Sequence, residues 1–346
     1  MNKVESESLI SVIMPVHNAG EYLLEAVASI LNQQSVSLEL ILVDDHSNDH
    51  AIENLPKELT QDERFRLVSS SERGVVAAMK EGFAVAKGNY IARMDADDIS
   101  LPNRLYKQLH YLQEHPDIDI AGGQIKIISD MDIDDGFALY ETWLNQLCDP
   151  DDIERELFIE SPIPNPTAFF RRECYELLNG YADSEWAEDY DMWLRAHALN
   201  IKMGKPDGVL LHWREHATRL THCDSRYDNK LFLKAKAYYL ARNCHQLKQR
   251  KTLIWGTGPT GVYLHDILVE QNVTISAFID VNPRRIGGVK RNLPVLHFTE
   301  IGQYESEDNV AILILGAVGA RGAREKMRQA LLDMGKKEGN DFLFAA

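Results

Sequence analysis

The chain has 346 residues, of which 45% are hydrophobic and 26% charged, with a formal net charge of −16. That length accommodates about two domains, each with its own core. The acidic balance works against nonspecific nucleic-acid binding, so no nucleic-acid partner is expected.

Leu9 to Met14 is an apolar, strand-like run ending at Pro15. Tyr22 to Leu31 has helical spacing, with Leu23, Ala26, Val27 and Ile30 on one face. Leu38 to Val43 predicts a second buried strand, closed by Asp44-Asp45, and Phe65 to Val68 a third. Val75 to Ala86 predicts a helix stopped by Gly88. Tyr90 to Met94 predicts a fourth strand, which runs into Asp95-Ala96-Asp97-Asp98. Alternation of this kind predicts a parallel sheet with helices on both faces, which binds ligands beyond the carboxyl ends of its strands. Residues 15–18, Asp44-Asp45 and the 95–98 cluster all follow strand ends, so three polar segments converge on one rim. Clustered carboxylates suit hard cations such as Mg²⁺ and Mn²⁺, which share such sites with phosphates.

Further along, Leu101 to Leu105 predicts a helix opening with Pro102 in its first turn. Asp117 to Ile128 has strand character, and Asp130 to Asp135 reads as a solvated acidic loop. Trp186 to Asp191 forms a second polar cluster, leading into a helix. Lys230 to Lys251 carries Leu233, Ala237, Leu240, Cys244 and Leu247 at helical spacing. It predicts a connecting helix, with a membrane-surface helix as the alternative. The pattern then restarts: a strand at 252–255, a Gly256-x-Gly258-x-x-Gly261 turn, a helix, and a strand over Ile275 to Ile279 ending at Asp280. That order matches dinucleotide-binding units, though such a turn also serves simply to pass from strand to helix. A strand at Val310 to Leu315 and a helix at Ala323 to Met334 complete a second, smaller α/β domain.

Cys148, Cys174, Cys223 and Cys244 form neither a CxxC pair nor a zinc-like spacing, and free thiols are expected. Met1 to Ser8 is polar, Leu9 to Val16 is too short for a secretory leader, and Val310 to Leu315 falls far below a membrane span. The expected location is the cytoplasm, with the inner face of a membrane as a peripheral site.

Several ordered motifs resemble the family 2 glycosyltransferases, which have a GT-A fold. They are VIMPVHN at 12–18, VDDHSND at 43–49, GNYIARMDADD at 88–98, and LPNRL at 101–105 with Gln108. PNPT at 164–167, FRR at 170–172 and EDYDMWLR at 188–195 extend the likeness over about two thirds of the chain. The resemblance implies transfer of a sugar, with inversion, from a nucleotide-diphosphate donor, UDP-linked, to a saccharide or lipid-linked hydroxyl. It implies Mn²⁺ or Mg²⁺ held by Asp97 with Asp95, and nucleotide contacts from Pro15, Val16, His17, Asp45 and Asp95. It also implies Asp189 as the general base, with Asp191 as the alternative. Trp213 to His216 resembles a segment that closes over the donor, which makes His216 a candidate for the metal or a phosphate. Arg73 is a candidate phosphate contact from a strand–helix loop. Three positions depart from the family pattern: His17, His46 where Gly is usual, and Lys80 where Asn is common.

The expected organisation is a GT-A domain over 1–220, a helical linker over 221–250 and a Rossmann-like domain over 251–346. A structural, oligomerisation or ligand-sensing role is expected of the last, which makes a second copy of the chain a candidate partner. Gly256, Gly258, Gly261 and Asp280 form its candidate ligand turn. Two other readings compete. One is a nicotinamide-dependent sugar-modifying enzyme using that turn, and the other a non-catalytic nucleotide-sugar-binding regulator.

Overall fold

A computed structural model describes residues 8–129, 135–308 and 311–346. The acidic segment 130–134, the start of the chain and Val310 lie outside the described residues, while Asp135 opens a helix, Asp135–Gln146. The chain divides into two compact units. The first takes the described residues of Met1–Ile153, Pro162–Ser184 and Glu188–Asp224. The second takes Glu154–Ser161, Glu185–Ala187 and Ser225–Ala346.

The strands of the first unit are β1 (Ile10–Val16), β2 (Leu38–Asp44), β3 (Phe65–Ser69), β4 (Tyr90–Arg93), β5 (Ile99–Ser100), β6 (Ile120–Ala121), β7 (Gln124–Ser129), β8 (Phe169–Arg171), β9 (Met203–Gly204) and β10 (Val209–Glu215). Seven of them form a sheet in the order β3-β2-β1-β4-β8-β6-β9. β1 to β4 are mutually parallel, and β8 runs antiparallel to both β4 and β6. β1 and β2 are buried almost throughout because helices cover both faces, which is why they read as unbroken apolar runs. The helix Tyr22–Leu31 turns Leu23, Ala26, Val27 and Ile30 into this core. The chain winds outward from β1 to β3 and returns to β4 on the other side. The switch point therefore falls between β1 and β4, where an open α/β sheet leaves a crevice.

β1 continues through Pro15 to Val16, beyond its expected end. Pro15 pairs with Val43 of β2, while the ladder to β4 covers only Ile10 to Ile13. The missing N–H therefore falls beyond the ladder on the β4 side. Pro102 and Asn103 precede the helix Arg104–Glu114, with Asn103 left-handed at φ 66°. The strand-like stretch 117–128 splits into β6 and β7 around Gly122-Gly123. A second, three-stranded sheet, β5-β10-β7, carries the end of β10 toward the loop after β4.

In the second unit, β11 (Lys251–Trp255), β12 (Ile275–Asp280), β13 (Val289–Lys290), β14 (Leu293–His297), β15 (Ile312–Gly316) and β16 (Phe342–Phe344) take the order β13-β14-β12-β11-β15-β16. All pairs are parallel except β13 with β14. Lys230 to Lys251 resolves into helices Asn229–Asn243 and His245–Gln249, both within this unit. Leu233, Ala237, Leu240 and Leu247 are buried. These four side chains of the stripe that suggested a membrane-surface helix are thus withdrawn from the surface. No helix among the described residues is long and apolar enough to cross a membrane.

Candidate active site

Asp45 follows β2, and its N–H donates to Val16 O at 2.8 Å, locking the ends of β1 and β2 together. Its buried carboxylate accepts the Gly74 N–H on both oxygens, at 3.0 and 2.9 Å. His17 Nδ1 lies 2.6 Å from Asp45 O. A carbonyl only accepts, so Nδ1 carries the proton there. Asn18 and Ser47 tie the two loops further: Asn48 N–H donates to Asn18 Oδ1 at 2.8 Å and Asn18 N–H to Ser47 Oγ at 3.2 Å. His46 has φ 58°, the left-handed backbone that the family's usual glycine adopts freely. Arg73 is exposed on the loop that Asp45 anchors through Gly74.

The loop after β4 carries the acidic cluster. Asp95, Asp97 and Asp98 each present a carboxylate oxygen, all within 4.8 Å of one another. The Arg93 guanidinium donates to Asp95 Oδ1. His216 Nε2 lies 2.9 Å from Asp97 Oδ2, and its Nδ1 3.0 Å from Thr218 Oγ1. Asp98 is buried; its Oδ1 accepts the Arg214 N–H at 2.7 Å, and its Oδ2 has no partner among the described residues. Burial pushes the Asp98 carboxyl well above the usual range, and the charges of Asp97 and Asp95 push the same way. Burial and Asp97 also raise Asp95, against the pull of Arg93 and Arg219. At Asp97 burial is outweighed by the hydrogen bond from His216 and the charge of Arg219, so its carboxyl falls below the usual range. An all-oxygen set beside one imidazole suits Mn²⁺ or Mg²⁺, and the unpartnered Asp98 oxygen fits a cation site.

Two braces hold this loop, and neither Arg93 nor Arg214 was among the expected site residues. Arg214 donates from Nε to Asp97 O at 2.8 Å and from Nη2 to Glu25 Oε2 at 2.7 Å, and stacks 4.5 Å over the Tyr22 ring. Arg214 lies in β10 and His216 directly follows its last residue, two positions on, the spacing that puts side chains on one face of a strand. That period is the sequence signal that could have found Arg214. Arg104, fully buried, donates to Arg93 O at 2.8 Å and to Gln108 Oε1 at 3.1 Å. Burial holds its guanidinium down to about 9. Gln108 in turn donates to Ala121 O, Gly122 O and Thr167 O. The LPNRL motif and Gln108 therefore set the position of β4, from which the acidic loop springs.

Asp189 lies in the first turn of the helix Glu188–Ala198, partly exposed, with Oδ1 accepting the Tyr190 N–H at 2.7 Å. Asp191 is buried and committed: its Oδ2 accepts Arg195 Nε at 2.7 Å, and Arg195 also donates to Leu178 O and Gly180 O. Nearby in sequence, the Tyr181 hydroxyl donates to Asn165 Oδ1 at 2.6 Å. Burial drives its phenol far up; Arg93 pulls it down, while Asp189 and Glu188 push it up.

A family model described as Glycosyl transferase family 2 matches residues 11–177. The chain is 31% identical over 247 residues to an uncharacterized glycosyltransferase of Haemophilus influenzae, covering 68% of this chain and 76% of that one. It belongs to glycosyltransferase family 2. The O-antigen biosynthesis glycosyltransferase WbnJ of Escherichia coli is 30% identical over 211 residues, covering 60% of this glycosyltransferase and 80% of its relative. Among solved structures, residues 1–349 of S. aureus TarS in complex with UDP-GlcNAc align with a TM-score of 0.54 at 16% identity, over 76% of this chain and 71% of that one. At that identity the likeness concerns the fold, which is GT-A-like.

Proposed function

We propose that the enzyme transfers a sugar, with inversion, from a UDP-linked donor to a hydroxyl of a saccharide or lipid-linked acceptor. The observation that carries this is the convergence of Asp45, the Asp95–Asp98 cluster and His216 at the switch point of the first sheet. TarS was solved with UDP-GlcNAc and WbnJ is named for O-antigen biosynthesis, which supports the donor and a surface-polysaccharide or glycolipid setting. The enzyme then works in the cytoplasm, at the inner face of a membrane when its acceptor is lipid-linked.

In this reading Asp45 receives the nucleobase or ribose, beside the backbone of Pro15, Val16 and His17, and Arg73 reaches phosphate. Asp97, Asp95 and His216 hold Mn²⁺ or Mg²⁺, with Asp98 completing the oxygen set. The bound ion supplies Lewis-acid stabilisation of the departing diphosphate. Asp189 accepts the proton of the acceptor hydroxyl as that oxygen attacks the anomeric carbon opposite the leaving group, so the C–O bond to phosphate breaks with inversion. Asp191 is set aside as base because its carboxylate is engaged by Arg195. Asp189→Asn is expected to keep donor binding and thermal stability while losing transfer by about 10²-fold or more. Asp191→Asn is expected to lower stability by about 2 kcal/mol through the charged hydrogen bond to Arg195. Titration calorimetry, transfer kinetics and urea unfolding on both variants test the assignment, and normal turnover in Asp189→Asn would remove it.

A further inference from the structure

The second unit contains a cavity of about 420 Å³ that the sugar-transfer chemistry does not use. It opens beyond the carboxyl ends of β11, β12 and β15, where the strand order reverses around β11. The helix Pro259–Glu270 begins at its floor, and the first-turn N–H groups of a helix have no acceptor within the helix itself.

The glycines of the turn divide into two kinds. A Cβ on Gly256 would lie 2.5 Å from Ala317 O, and one on Gly261 would lie 2.0 Å from Gly256 O. Both are required by packing alone, whatever binds nearby. Gly258 is different. Its φ of −77° suits any residue, and a Cβ there meets nothing within 4 Å. Neither backbone strain nor packing calls for glycine at 258. What its hydrogen does is leave the turn's backbone bare toward the cavity, as close approach of a ligand needs.

The polar groups of the wall are arranged for an anion. Asp280 is fully engaged: it accepts the Thr257 hydroxyl, the Asn282 N–H at 2.8 Å and Arg285 Nη1 at 3.1 Å. Arg285 Nη1 also donates to Thr257 Oγ1 at 3.0 Å, while its Nε and Nη2 make no hydrogen bond among the described residues. The carboxylate thus fixes a guanidinium at the mouth, and what the wall offers a ligand is N–H donors. Beside it, Val281 is 60% exposed, an apolar surface for a flat ring. Val318 adds to the apolar lining.

We infer that this cavity binds a nucleoside diphosphate group, with its pyrophosphate on the bare turn at Gly258 and on Arg285, and its base against Val281. The inference does not depend on the sugar-transfer reading of the first unit. Two sources carry this chemistry: a dinucleotide, and the uridine diphosphate of a sugar donor or its product.

Calorimetric titration of the full-length protein with NAD⁺, NADP⁺, ADP, UDP and inorganic pyrophosphate tests it, comparing wild type with Gly258→Leu and Arg285→Met. Gly258→Leu fills the cradle without straining the backbone, and Arg285→Met removes the cation while leaving the turn. Besides any UDP taken up by the proposed donor site of the first unit, the expected result is one saturable nucleotide site per chain in the second unit, weakened about tenfold or more in each variant, with unchanged melting temperature and unchanged transfer kinetics. Loss confined to NAD⁺, NADP⁺ and ADP identifies a dinucleotide; loss confined to UDP identifies the uridine nucleotide. If every nucleotide tested either fails to bind wild type or binds all three proteins identically, the inference is overturned. Pyrophosphate binding as tight as any nucleotide overturns its nucleoside part.

Discussion

Replacing Arg214 by Met tests how the acidic loop is held. The side chain is 10% exposed, and truncating its head leaves Asp97 O without its 2.8 Å donor. An unsatisfied buried carbonyl costs about 1–3 kcal/mol. The guanidinium over Tyr22, at 4.5 Å, adds about 1 kcal/mol. Glu25 is 59% exposed, so its ion pair with Arg214 is screened by solvent and contributes under about 1 kcal/mol. The expected loss is about 2–4 kcal/mol, most of it from the inward-facing contacts. The backbone N–H of residue 214 still serves Asp98, so the loop loosens at Asp97 first. Urea unfolding of the full chain, with Glu25→Gln as control, measures this. A loss below about 1 kcal/mol in Arg214→Met, or an equal loss in Glu25→Gln, would refute the reasoning.

Two further substitutions probe the frame around the site. A Cβ on Gly88 would lie 2.6 Å from both Leu9 O and Ser11 N, which are backbone atoms and cannot rotate away. Gly88→Ala is therefore expected to cost about 2–3 kcal/mol in urea unfolding, and a neutral result contradicts the close approach of the 88 turn to β1. Lys205 is buried, donates to Leu144 O at 2.7 Å, and is held by burial down to about 7 against an ordinary 10.5. Between those values the unfolded chain binds a proton that the folded chain lacks, so stability rises with pH across the window and the penalty is largest below it. The stability of wild type relative to Lys205→Met should therefore increase from pH 7 toward pH 10, by at most about 1.4 kcal/mol per pH unit. A flat difference in urea midpoints contradicts a neutral buried Lys205.

Much of the site was legible because strand ends and carboxylates leave strong local marks. Asp45 and Asp95–Asp98 follow apolar runs whose burial on both faces makes them unmistakable as parallel strands. Pro15 misled the end of β1, because whether a missing N–H matters depends on how far the β4 ladder reaches. Arg214 was out of view for another reason: its partner, Asp97 O, lies 117 residues away and is brought to it by the pairing of β5 with β10. Asp191 is the alternative to Asp189 in sequence; its burial and the hydrogen bond from Arg195, one helical turn on, set it apart. Residues 154–161 and 185–187 cluster with the second unit, a non-local choice that no composition shift signals.

In the proposed function, Asp97 and its neighbours serve sugar transfer from a nucleotide donor. The most direct measurement is product formation from a panel of nucleotide sugars and hydroxyl acceptors, with Mn²⁺ or Mg²⁺ and with EDTA, for wild type and Asp97→Asn. The expected result is transfer of a sugar with inverted anomeric configuration, abolished by EDTA and by Asp97→Asn. Transfer that persists undiminished in EDTA and in Asp97→Asn would contradict it, as would a product that retains the donor's configuration.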